Sequence, residues 1–375
     1  MQKIDKQKVF VAMSGGVDSS VAALLLKEKG YDVTGVFMRC YNLDGCSERD
    51  AEDARRVARH LKIPFYIWDF EEEYKKRVVD YMISGYKSGI TPNPDVMCNK
   101  QIKFGLFLEK ALSLDADCIA TGHYVRLAAF SKLASQKKEG KLKAISYKLS
   151  SSLDKNKDQS YFLWTLTQNQ LKYCLFPIGD YLKSDVRKIA KEVGLPTAEK
   201  KDSQGICFLG KISLSDFLKN YIPEKRGAVL TTAGEKIGEH KGAWFYTIGQ
   251  RHIAIANRKG QIANSKPIYV ADKNIKSNTV VIAQDAKNPE LYKEEIKLKN
   301  VNFIDQKYSN ILENVGISVW VRVRYRQPLF SAKLFKLKAN SYELIPDKPV
   351  KFVAPGQSAV FYNKRDELLG GGIIL

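Results

Sequence analysis

The chain has 375 residues, enough for two or three domains, and its 44% hydrophobic and 27% charged residues are ordinary for a globular protein. Its 61 Lys and Arg exceed its 41 Asp and Glu, so the formal net charge is +20. Basic side chains neutralise phosphates, and the charge therefore favours a polyanionic partner, although a lysine-rich proteome would explain the same excess without a function. Six irregularly spaced cysteines are not typical of a disulfide scaffold.

No apolar run reaches the roughly 18 residues that a membrane-spanning helix needs. The first eight residues are polar and a strand follows at once, which leaves no room for a signal or transit peptide. The sequence therefore predicts a cytoplasmic protein with reduced thiols.

Strands and helices are predicted to alternate in the first part of the chain. The predicted strands are 9–13, 33–38, 65–68 and 118–121. Three helices are predicted. One spans 19–29 and is stopped by Gly30, and another spans 185–193. The third is capped by Ser47, and its Ala51, Ala54, Ala58 and Leu61 recur at helical spacing. This alternation is typical of a parallel sheet with helices on both faces. The Lys- and Ser-rich stretch 131–143 is predicted to be a hairpin loop.

From about Phe217 the pattern changes to short strands broken by Gly, Pro and Asn, and a second boundary falls near Asn288. The last part resembles a small all-β domain or barrel. The predicted domains are 1–215, 216–287 and 288–375.

The segment 14–20, with the sequence SGGVDSS, follows a predicted strand and opens a predicted helix. Its two glycines let backbone N–H groups point into one concavity, and the helix N-terminus adds a partial positive charge. These features predict a pyrophosphate site. No Gly-Lys-Ser/Thr follows, so the segment is not a Walker A loop.

Two cysteines lie in distinctive segments. In 91–100, TPNPDVMCNK, the prolines predict a rigid extended loop, and Lys100 beside Cys98 predicts a reactive, exposed thiolate. In 201–209, KDSQGICFL, Gly205 permits close approach beside Cys207. Taken singly, each cysteine is also explained as an inert buried residue.

The 14–20 loop resembles the PP-loop of the N-type ATP pyrophosphatases, which cleave ATP to AMP and pyrophosphate and adenylate a substrate oxygen. Further segments resemble the bacterial and organellar tRNA-specific 2-thiouridylases, in the same order: 93–95 with Cys98, 122–124, 157–160, 202–207, 246–251 and 324–325. The matches run from Met13 to about Gln357. The chain departs from the family pattern at 252–254, where it reads His-Ile-Ala.

The resemblance implies a parallel-sheet α/β PP-loop ATPase domain, a small central β-rich domain and a C-terminal β-barrel-like domain. It implies that ATP adenylates the C2 oxygen of the wobble uridine in tRNAs for Lys, Glu and Gln. A persulfide on Cys207 would then deliver sulfur, and Cys98 would be the partner thiol that closes a disulfide. Mg²⁺ is expected on the ATP phosphates, with Asp18 helping to place it. A cysteine desulfurase or relay protein is the expected sulfur donor, and the expected state is a monomer.

The resemblance also assigns binding residues. The implied ATP contacts are Ala12, Met13, Ser14, Gly15, Gly16, Val17, Asp18, Ser19, Met38 and Gly122. The implied neighbours of the target base are Asn93, Pro94 and Asp95. The implied tRNA contacts are His123, Lys157, Asp158, Gln159, Arg324, Tyr325 and Gln357. No protein-bound metal is expected.

The segment 319–326 alternates with period two. Val319, Val321, Val323 and Tyr325 fall on one face, and Trp320, Arg322, Arg324 and Arg326 on the other. This pattern predicts a strand that presents an exposed aromatic–arginine stripe to RNA, or a solvated barrel face. A target base would have to leave the anticodon stack to reach the ATP and the thiols.

Three alternatives stay open at this point. A PP-loop ligase or amidotransferase acting on a small molecule would explain the phosphate loop. A non-catalytic RNA-binding protein would explain the charge. An iron–sulfur cluster held by Asp95, Cys98 and Cys207 would replace the persulfide cycle.

Overall fold

The computed structural model describes residues 6–41, 45–131, 145–202, 209–210, 212–257, 267–312, 315–337 and 341–375. Cys207 and most of the predicted hairpin loop 131–143 lie outside these residues.

Strands and helices alternate in the first part of the chain, as predicted. In chain order the elements are β1 (Lys8–Ala12), α1 (Val17–Glu28), β2 (Asp32–Arg39), α2 (Cys46–His60), β3 (Phe65–Asp69), α3 (Glu71–Tyr74), α4 (Asp80–Lys87), α5 (Pro94–Cys98), α6 (Phe107–Ser113), β4 (Cys118–Thr121), β5 (Val125–Ser131), β6 (Ile145–Ser151), α7 (Gln168–Leu171), β7 (Cys174–Leu175) and α8 (Lys183–Glu192). Two π-helical segments, Lys75–Val79 and Asn99–Leu106, connect α3 to α4 and α5 to α6.

The first sheet is parallel throughout and runs in the order β3-β2-β1-β4-β7 within the described residues. Alternate side chains of β1 enter two different cores: Val9 and Val11 pack with α1, α2 and α8, whereas Phe10 packs with α4 and α6. A parallel strand covered by helices on both faces buries both sets of side chains. The predicted α/β sheet is therefore confirmed.

The structure differs from the sequence predictions at one helix start and near the beginning of the β-rich part. Helix α2 begins at Cys46 with Gly45 at the N-cap position, where φ is +69°, so Ser47 is not the cap. Glycine reaches this left-handed conformation without steric cost. A short helix, α9 (Leu214–Lys219), also covers Phe217, where the sequence predicted the β-rich part to begin; its cap is Ser213, whose Oγ accepts from Asp216 N.

The central part is a small mixed sheet. It contains β8 (Gly227–Thr231), β9 (Lys236–His240), β10 (Ile268–Asn274) and β11 (Thr279–Gln284). In the residues that the structure describes, the strand order is β10-β11-β8-β9, with β11 parallel to β8 and the other pairs antiparallel. Val229, Val270, Val280 and Ile282 fill its core.

The last part is an antiparallel barrel. Its elements are β12 (Tyr292–Lys293), β13 (Ile296–Phe303), α10 (Lys307–Ile311), β14 (Ile317–Arg322), β15 (Phe330–Lys336), β16 (Tyr342–Pro346), β17 (Val350–Lys351), β18 (Ser358–Tyr362) and β19 (Glu367–Ile374). Strands pair in the order β13-β16-β15-β14-β18-β19, and β13 also pairs with β19, which closes the barrel. The predicted β-barrel is confirmed, and closure leaves no open edge among these six strands.

The hairpin of β5 and β6 belongs to the barrel sheet although it comes from the first part of the chain. β6 pairs antiparallel with β19 through Leu149 and Leu368 and through Ser150 and Glu367. The barrel is thus joined to the first domain by main-chain hydrogen bonds as well as by side chains. No described helix is both long and apolar enough to span a membrane.

Candidate active site

The 14–20 loop connects the end of β1 to α1, and its own side chains brace it. Ser19 Oγ accepts from Ser14 N at 3.1 Å, and the hydroxyls of Ser19 and Ser20 donate to Gly16 O at 3.2 and 2.8 Å. Gly16 is at the N-cap of α1 and has no side chain to occupy the amides of the first turn. Those amides and the helix dipole suit an anionic ligand such as a phosphate.

Two glycines allow other elements to press against this loop. At Gly15, where φ is +72°, an added Cβ would lie 2.3 Å from Asp50 O of α2. At Gly122, which follows β4, an added Cβ would lie 2.6 Å from Ser19 N. Neither position has space for a side chain, so packing alone requires glycine at both.

A cavity of about 480 Å³ opens beside the loop. Its wall includes these residues that the sequence predicted: Ala12, Met13, Ser14, Gly16, Val17, Asp18, Ser19, Met38, Cys98, Gly122, His123, Lys157, Gln159 and Tyr325. These predicted residues lie elsewhere: Gly15, Asn93, Pro94, Asp95, Asp158, Arg324 and Gln357. The phosphate loop and one of the two predicted catalytic cysteines therefore share one cavity.

Cys98 enters this cavity from the end of α5. Asn93 caps the helix, its Oδ1 accepting from Val96 N at 3.2 Å, and Pro94 is at the first helical position. Cys98 is 5% exposed, so the prediction of a solvent-exposed thiolate is wrong. Asp95 lies on the same helix, and burial raises the pKa of its carboxyl group. The positive charge of Lys103 lowers that pKa, but by less. The cavity, not the protein surface, is thus the route to this thiol.

An ion-pair network lies beside the phosphate loop, and the sequence analysis missed its centre. Lys183 of α8 lies 2.7 Å from Asp18 Oδ1 and 2.8 Å from Asp202 Oδ1. Asp202 also accepts from Lys157 and Arg187, each at 2.7 Å. No local motif marks Lys183, which is 165 residues from Asp18. Asp18, which the sequence analysis linked to Mg²⁺, holds a lysine in this structure.

Several residues predicted to touch tRNA make contacts inside the protein. His123 is 6% exposed and its Nδ1 lies 2.7 Å from Thr121 Oγ1. Burial, with a smaller contribution from Lys103, lowers the pKa of the ring well below its ordinary value. Asp158 is 2% exposed and accepts from Ser160 N at 3.2 Å and from Arg322 at 3.2 Å. His123 lines the cavity, as do Lys157, Gln159 and Tyr325, whereas Asp158 does not.

The predicted arginine stripe is only partly formed. Strand β14 ends at Arg322, and the chain then bends, with φ of +64° at Arg326. Arg324 donates from Nε to Phe352 O at 2.9 Å and from Nη2 to Ile248 O, so it connects the barrel to the central part. Tyr325, predicted on the buried face, packs on Phe162 with ring centroids 4.5 Å apart. Arg326 remains exposed at the cavity.

No described group of three or more His, Cys, Asp or Glu side chains could hold a metal ion. Cys207 lies outside the described residues, so the cluster hypothesis for Asp95, Cys98 and Cys207 stays a hypothesis. Asp95 and Cys98 themselves lie on α5, three residues apart.

A parallel sheet with an anion-binding loop, followed by a β-rich part and a closed barrel, defines a multidomain nucleotide-binding protein of the HUP class. Residues 7–211 match the model described as tRNA methyl transferase HUP domain, 215–284 the tRNA methyl transferase PRC-barrel domain, and 293–374 the aminomethyltransferase beta-barrel domain. The chain is 44% identical over 374 residues to the tRNA-specific 2-thiouridylase MnmA of Geobacillus thermodenitrificans, with 98% of this chain and 94% of the relative covered. It therefore belongs to the tRNA-specific 2-thiouridylase family.

A second relative of the same name, from Blochmanniella floridana, is 45% identical over 376 residues, with 98% of this chain and 96% of the relative covered. Among solved structures, a 4-thiouridine synthetase in complex with RNA and ATP is similar over 55% of this chain and 46% of the other, at 17% identity and a TM-score of 0.34.

Proposed function

We propose that this protein uses Mg·ATP to replace the C2 oxygen of the wobble uridine with sulfur in tRNAs for Lys, Glu and Gln. The observation that carries the proposal is that the anion-binding loop and Cys98 line the same cavity. ATP chemistry and thiol chemistry can therefore act on one carbonyl group of the substrate, at its oxygen and its carbon, without moving the substrate to a second site. Relatives at 44% and 45% identity are named tRNA-specific 2-thiouridylases.

In the proposed first step, the uracil C2 oxygen attacks the α-phosphorus of ATP and pyrophosphate leaves. The loop and the N-terminus of α1 bind the phosphates of the Mg·ATP substrate and hold the α-phosphorus toward the base. The C2 oxygen by itself is a poor leaving group, and this step converts it into part of AMP, which is a good one. Ala12, Met38 and Gly122, which line the same wall, are the proposed contacts of the remainder of the nucleotide.

In the proposed second step, the terminal sulfur of a Cys207 persulfide attacks C2 and AMP leaves. The Cys98 thiolate then attacks Cys207 Sγ, so that a disulfide forms between the two cysteines and the C2–sulfur bond remains on the base. An external thiol must reduce the disulfide, and a persulfide donor such as a cysteine desulfurase or a relay protein must reload Cys207. The buried position of Cys98 protects this thiol from other oxidants.

We propose that Lys157, Gln159 and Tyr325 contact the tRNA directly, since they line the cavity and are partly exposed, whereas His123 lines it but is buried. His123, Asp158 and Arg324 support that surface from within. Asn93, the N-cap of α5, and Pro94 and Asp95 in its first turn lie behind the cavity wall that Cys98 forms, and they are the proposed surroundings of the flipped base. The domains proposed are 1–215, 216–287 and 288–375 in a cytoplasmic monomer, with the β5–β6 hairpin shared between the first and the last.

A single reaction tests the proposal. Labelled ATP, a persulfide donor and an unmodified tRNA-Lys transcript are incubated with the protein, and AMP and 2-thiouridine are measured together. We expect both products with the wild type, and loss of thiolation in Cys98→Ser and Cys207→Ser. Cys118→Ser, a half-buried cysteine of β4, is the matched control and should retain activity.

Other outcomes identify the alternatives. AMP formed with a small-molecule acceptor while the tRNA remains sulfur-free would indicate a ligase or amidotransferase. Tight tRNA binding with no AMP at all would indicate a binding protein. Methylated RNA in a parallel reaction with a methyl donor would favour a tRNA methyltransferase, the activity named in the description of the HUP domain family. A brown, anaerobically purified protein would support an iron–sulfur cluster, and a colourless active enzyme would contradict it.

A further inference from the structure

The rim of the C-terminal barrel is hydrogen-bonded to the loop that precedes α5. Gln357, just before β18, places its Nε2 2.9 Å from Thr91 O and 3.2 Å from Pro92 O. Next to this pair, Thr91 N donates to Pro355 O at 2.7 Å. Two successive carbonyls and one amide of the loop are therefore bonded to two barrel residues, Gln357 and Pro355.

The chemistry of the two partners fixes the orientation of the Gln357 amide. Carbonyl oxygens only accept hydrogen bonds, so the NH₂ group and not Oε1 must face Thr91 and Pro92. Both donors of this side chain are then used inside the protein. The family resemblance implied a tRNA contact for Gln357, but in this geometry the side chain has no donor left for a phosphate or a base.

The barrel side of this contact is rigid and close. Gly356 N donates to Ile374 O and Ile374 N donates to Gln357 O, both at 2.8 Å, so the rim is tied to the end of β19. Gly356 has φ of +90°, and an added Cβ would lie 2.9 Å from Thr91 O. The contact therefore depends on a glycine, both for its backbone conformation and for space.

The loop side leads directly to Cys98. Thr91 and Asn93 are 7% and 8% exposed, and Asn93 caps the helix that ends at Cys98. Pro92 packs against α4, where a Cβ added at Gly85 would lie 2.8 Å from Pro92 Cγ. Because Pro92 has a fixed φ and its surroundings are filled, a displacement at Thr91 is passed on to α5.

We propose that Gln357 is a positioning residue, which acts from the barrel rim through Thr91 and Pro92 to hold Cys98 in the cavity wall. The barrel then contributes to the sulfur chemistry as well as to RNA binding. The catalytic meaning of this role rests on the proposed function, but the mechanical role does not, and the two can be tested separately.

The mechanical role is tested on the full-length protein without ATP or tRNA. Wild type, Gln357→Ala and Gly356→Ala are treated with N-ethylmaleimide, and modification at Cys98 and Cys174 is followed by peptide mass spectrometry. Reagent reaches Cys98 through the cavity, and loosening of α5 should increase the exposure of the thiol there, so we expect Cys98 to react at least about fivefold faster in both variants. Cys174, 3% exposed in the first domain, should react at the wild-type rate.

Gln306→Ala is the matched control, because Gln306 also donates to a barrel carbonyl, Phe303 O at 3.4 Å, away from the loop. It should leave the rate at Cys98 unchanged. Wild-type rates at Cys98 in both test variants would overturn the proposal. A parallel increase at Cys174 would also overturn it, since it would indicate general loosening of the fold.

A second measurement separates positioning from tRNA contact. At saturating tRNA, single-turnover thiolation should fall about tenfold in Gln357→Ala, while the Kd for tRNA stays within about twofold of the wild type. A weaker Kd with an unchanged single-turnover rate would overturn the proposal in favour of an RNA contact. If Cys98 becomes more reactive as expected but the wild type thiolates no tRNA, the positioning role stands and the proposed function fails.

Discussion

The ammonium group of Lys183 lies 2.7 and 2.8 Å from the two carboxylate oxygens of Asp18, at the start of the helix that follows the phosphate loop. The same ammonium lies 2.8 Å from Asp202, and the lysine side chain is 12% exposed. Tyr124 also donates its hydroxyl to Asp18 at 2.8 Å. The negative charge within the 14–20 segment, that of Asp18, is thus neutralised by a helix far along the chain.

Removing this cation should weaken ATP binding. In Lys183→Met the Asp18 carboxylate keeps the Tyr124 hydrogen bond but loses its cation and repels the phosphates. We expect the Kd for Mg·ATP to rise at least about tenfold, or ~1.4 kcal/mol. Isothermal titration calorimetry measures this Kd directly. Lys188→Met is the control on the same helix, because Lys188 is 75% exposed and 3.8 Å from Glu192. Equal affinities in the two variants would contradict the role given to Lys183.

A methyl group at Gly122 should disable the phosphate loop. In Gly122→Ala the new Cβ would lie 2.6 Å from Ser19 N, a backbone atom that cannot move without shifting α1. We expect loss of most ATP-dependent AMP formation, together with a destabilisation of roughly 1–3 kcal/mol.

Gly30→Ala separates these two effects. Gly30 has φ of +87° but no atom within 4 Å of an added Cβ, so alanine there strains the backbone without touching the loop. This variant should lose about 1 kcal/mol of unfolding free energy while the KM for ATP stays unchanged. A normal KM in Gly122→Ala would show that the close approach to Ser19 is unimportant.

The Asp202 network should make stability depend on acid pH. Burial opposes ionisation of Asp202, but hydrogen bonds from Lys157 and Lys183 outweigh it and lower its pKa from 3.8 to about 2. A carboxyl with a depressed folded pKa stabilises the fold above its unfolded pKa, and that contribution is lost as pH falls from about 4 to 2.

Asp202→Asn should therefore be less stable than the wild type in urea unfolding at pH 7, and the difference should shrink below pH 4. Glu192→Gln is the comparison, since Glu192 is 61% exposed and its lysine partner is 3.8 Å away. A difference that stays constant from pH 7 to 2.5 would show that ionisation of Asp202 contributes nothing.

A lysine of the central part should give the opposite pH dependence. Burial lowers the pKa of Lys273 from 10.5 to about 8, and its Nζ donates to Tyr246 O at 2.5 Å. Between these two values the unfolded chain binds more protons than the folded one, so the folded state gains stability as pH rises from 8 to 10.5. The full gain is on the order of 3 kcal/mol.

Lys273→Met removes this titration. Its unfolding free energy should exceed that of the wild type at pH 7, and the wild type should approach or pass it by pH 10.5. Lys276→Met, at an exposed position in the following turn, should show neither effect. If the difference in unfolding free energy between the wild type and Lys273→Met does not change with pH, the pKa of Lys273 is not lowered in the folded protein.

Local features of the site could be predicted from the sequence because neighbouring residues create them. The loop at 14–20 and its glycines form an anion site within one strand–helix connection. The prediction of an extended loop for 91–100 is wrong, because Asn93 caps and Pro94 starts the helix α5 within it. The parallel sheet followed from the alternation of apolar runs and amphipathic segments. These predictions needed no knowledge of distant contacts.

Other features could not be predicted because they depend on distant partners. Nothing in the sequence near Lys183 indicates that its side chain contacts Asp18. The period-two alternation of 319–326 placed Arg324 on an exposed face, but its side chain donates to the main-chain carbonyl of Phe352. The stripe prediction assumed a straight strand, whereas the bend after Arg322 turns Tyr325 toward the cavity. Cys98 was predicted to be exposed because its burial comes from the surrounding fold and not from its own segment.

The pairing of the β5–β6 hairpin with the end of the barrel has a consequence for synthesis on the ribosome. Lys148 in the hairpin bonds Glu367, 219 residues later, at 3.2 Å. At translation rates of about 5–20 residues per second, the hairpin emerges roughly 10–40 s before the strand that it joins. During this interval its outer edge has no partner strand, so the nascent chain needs protection there until the last part of the barrel has emerged.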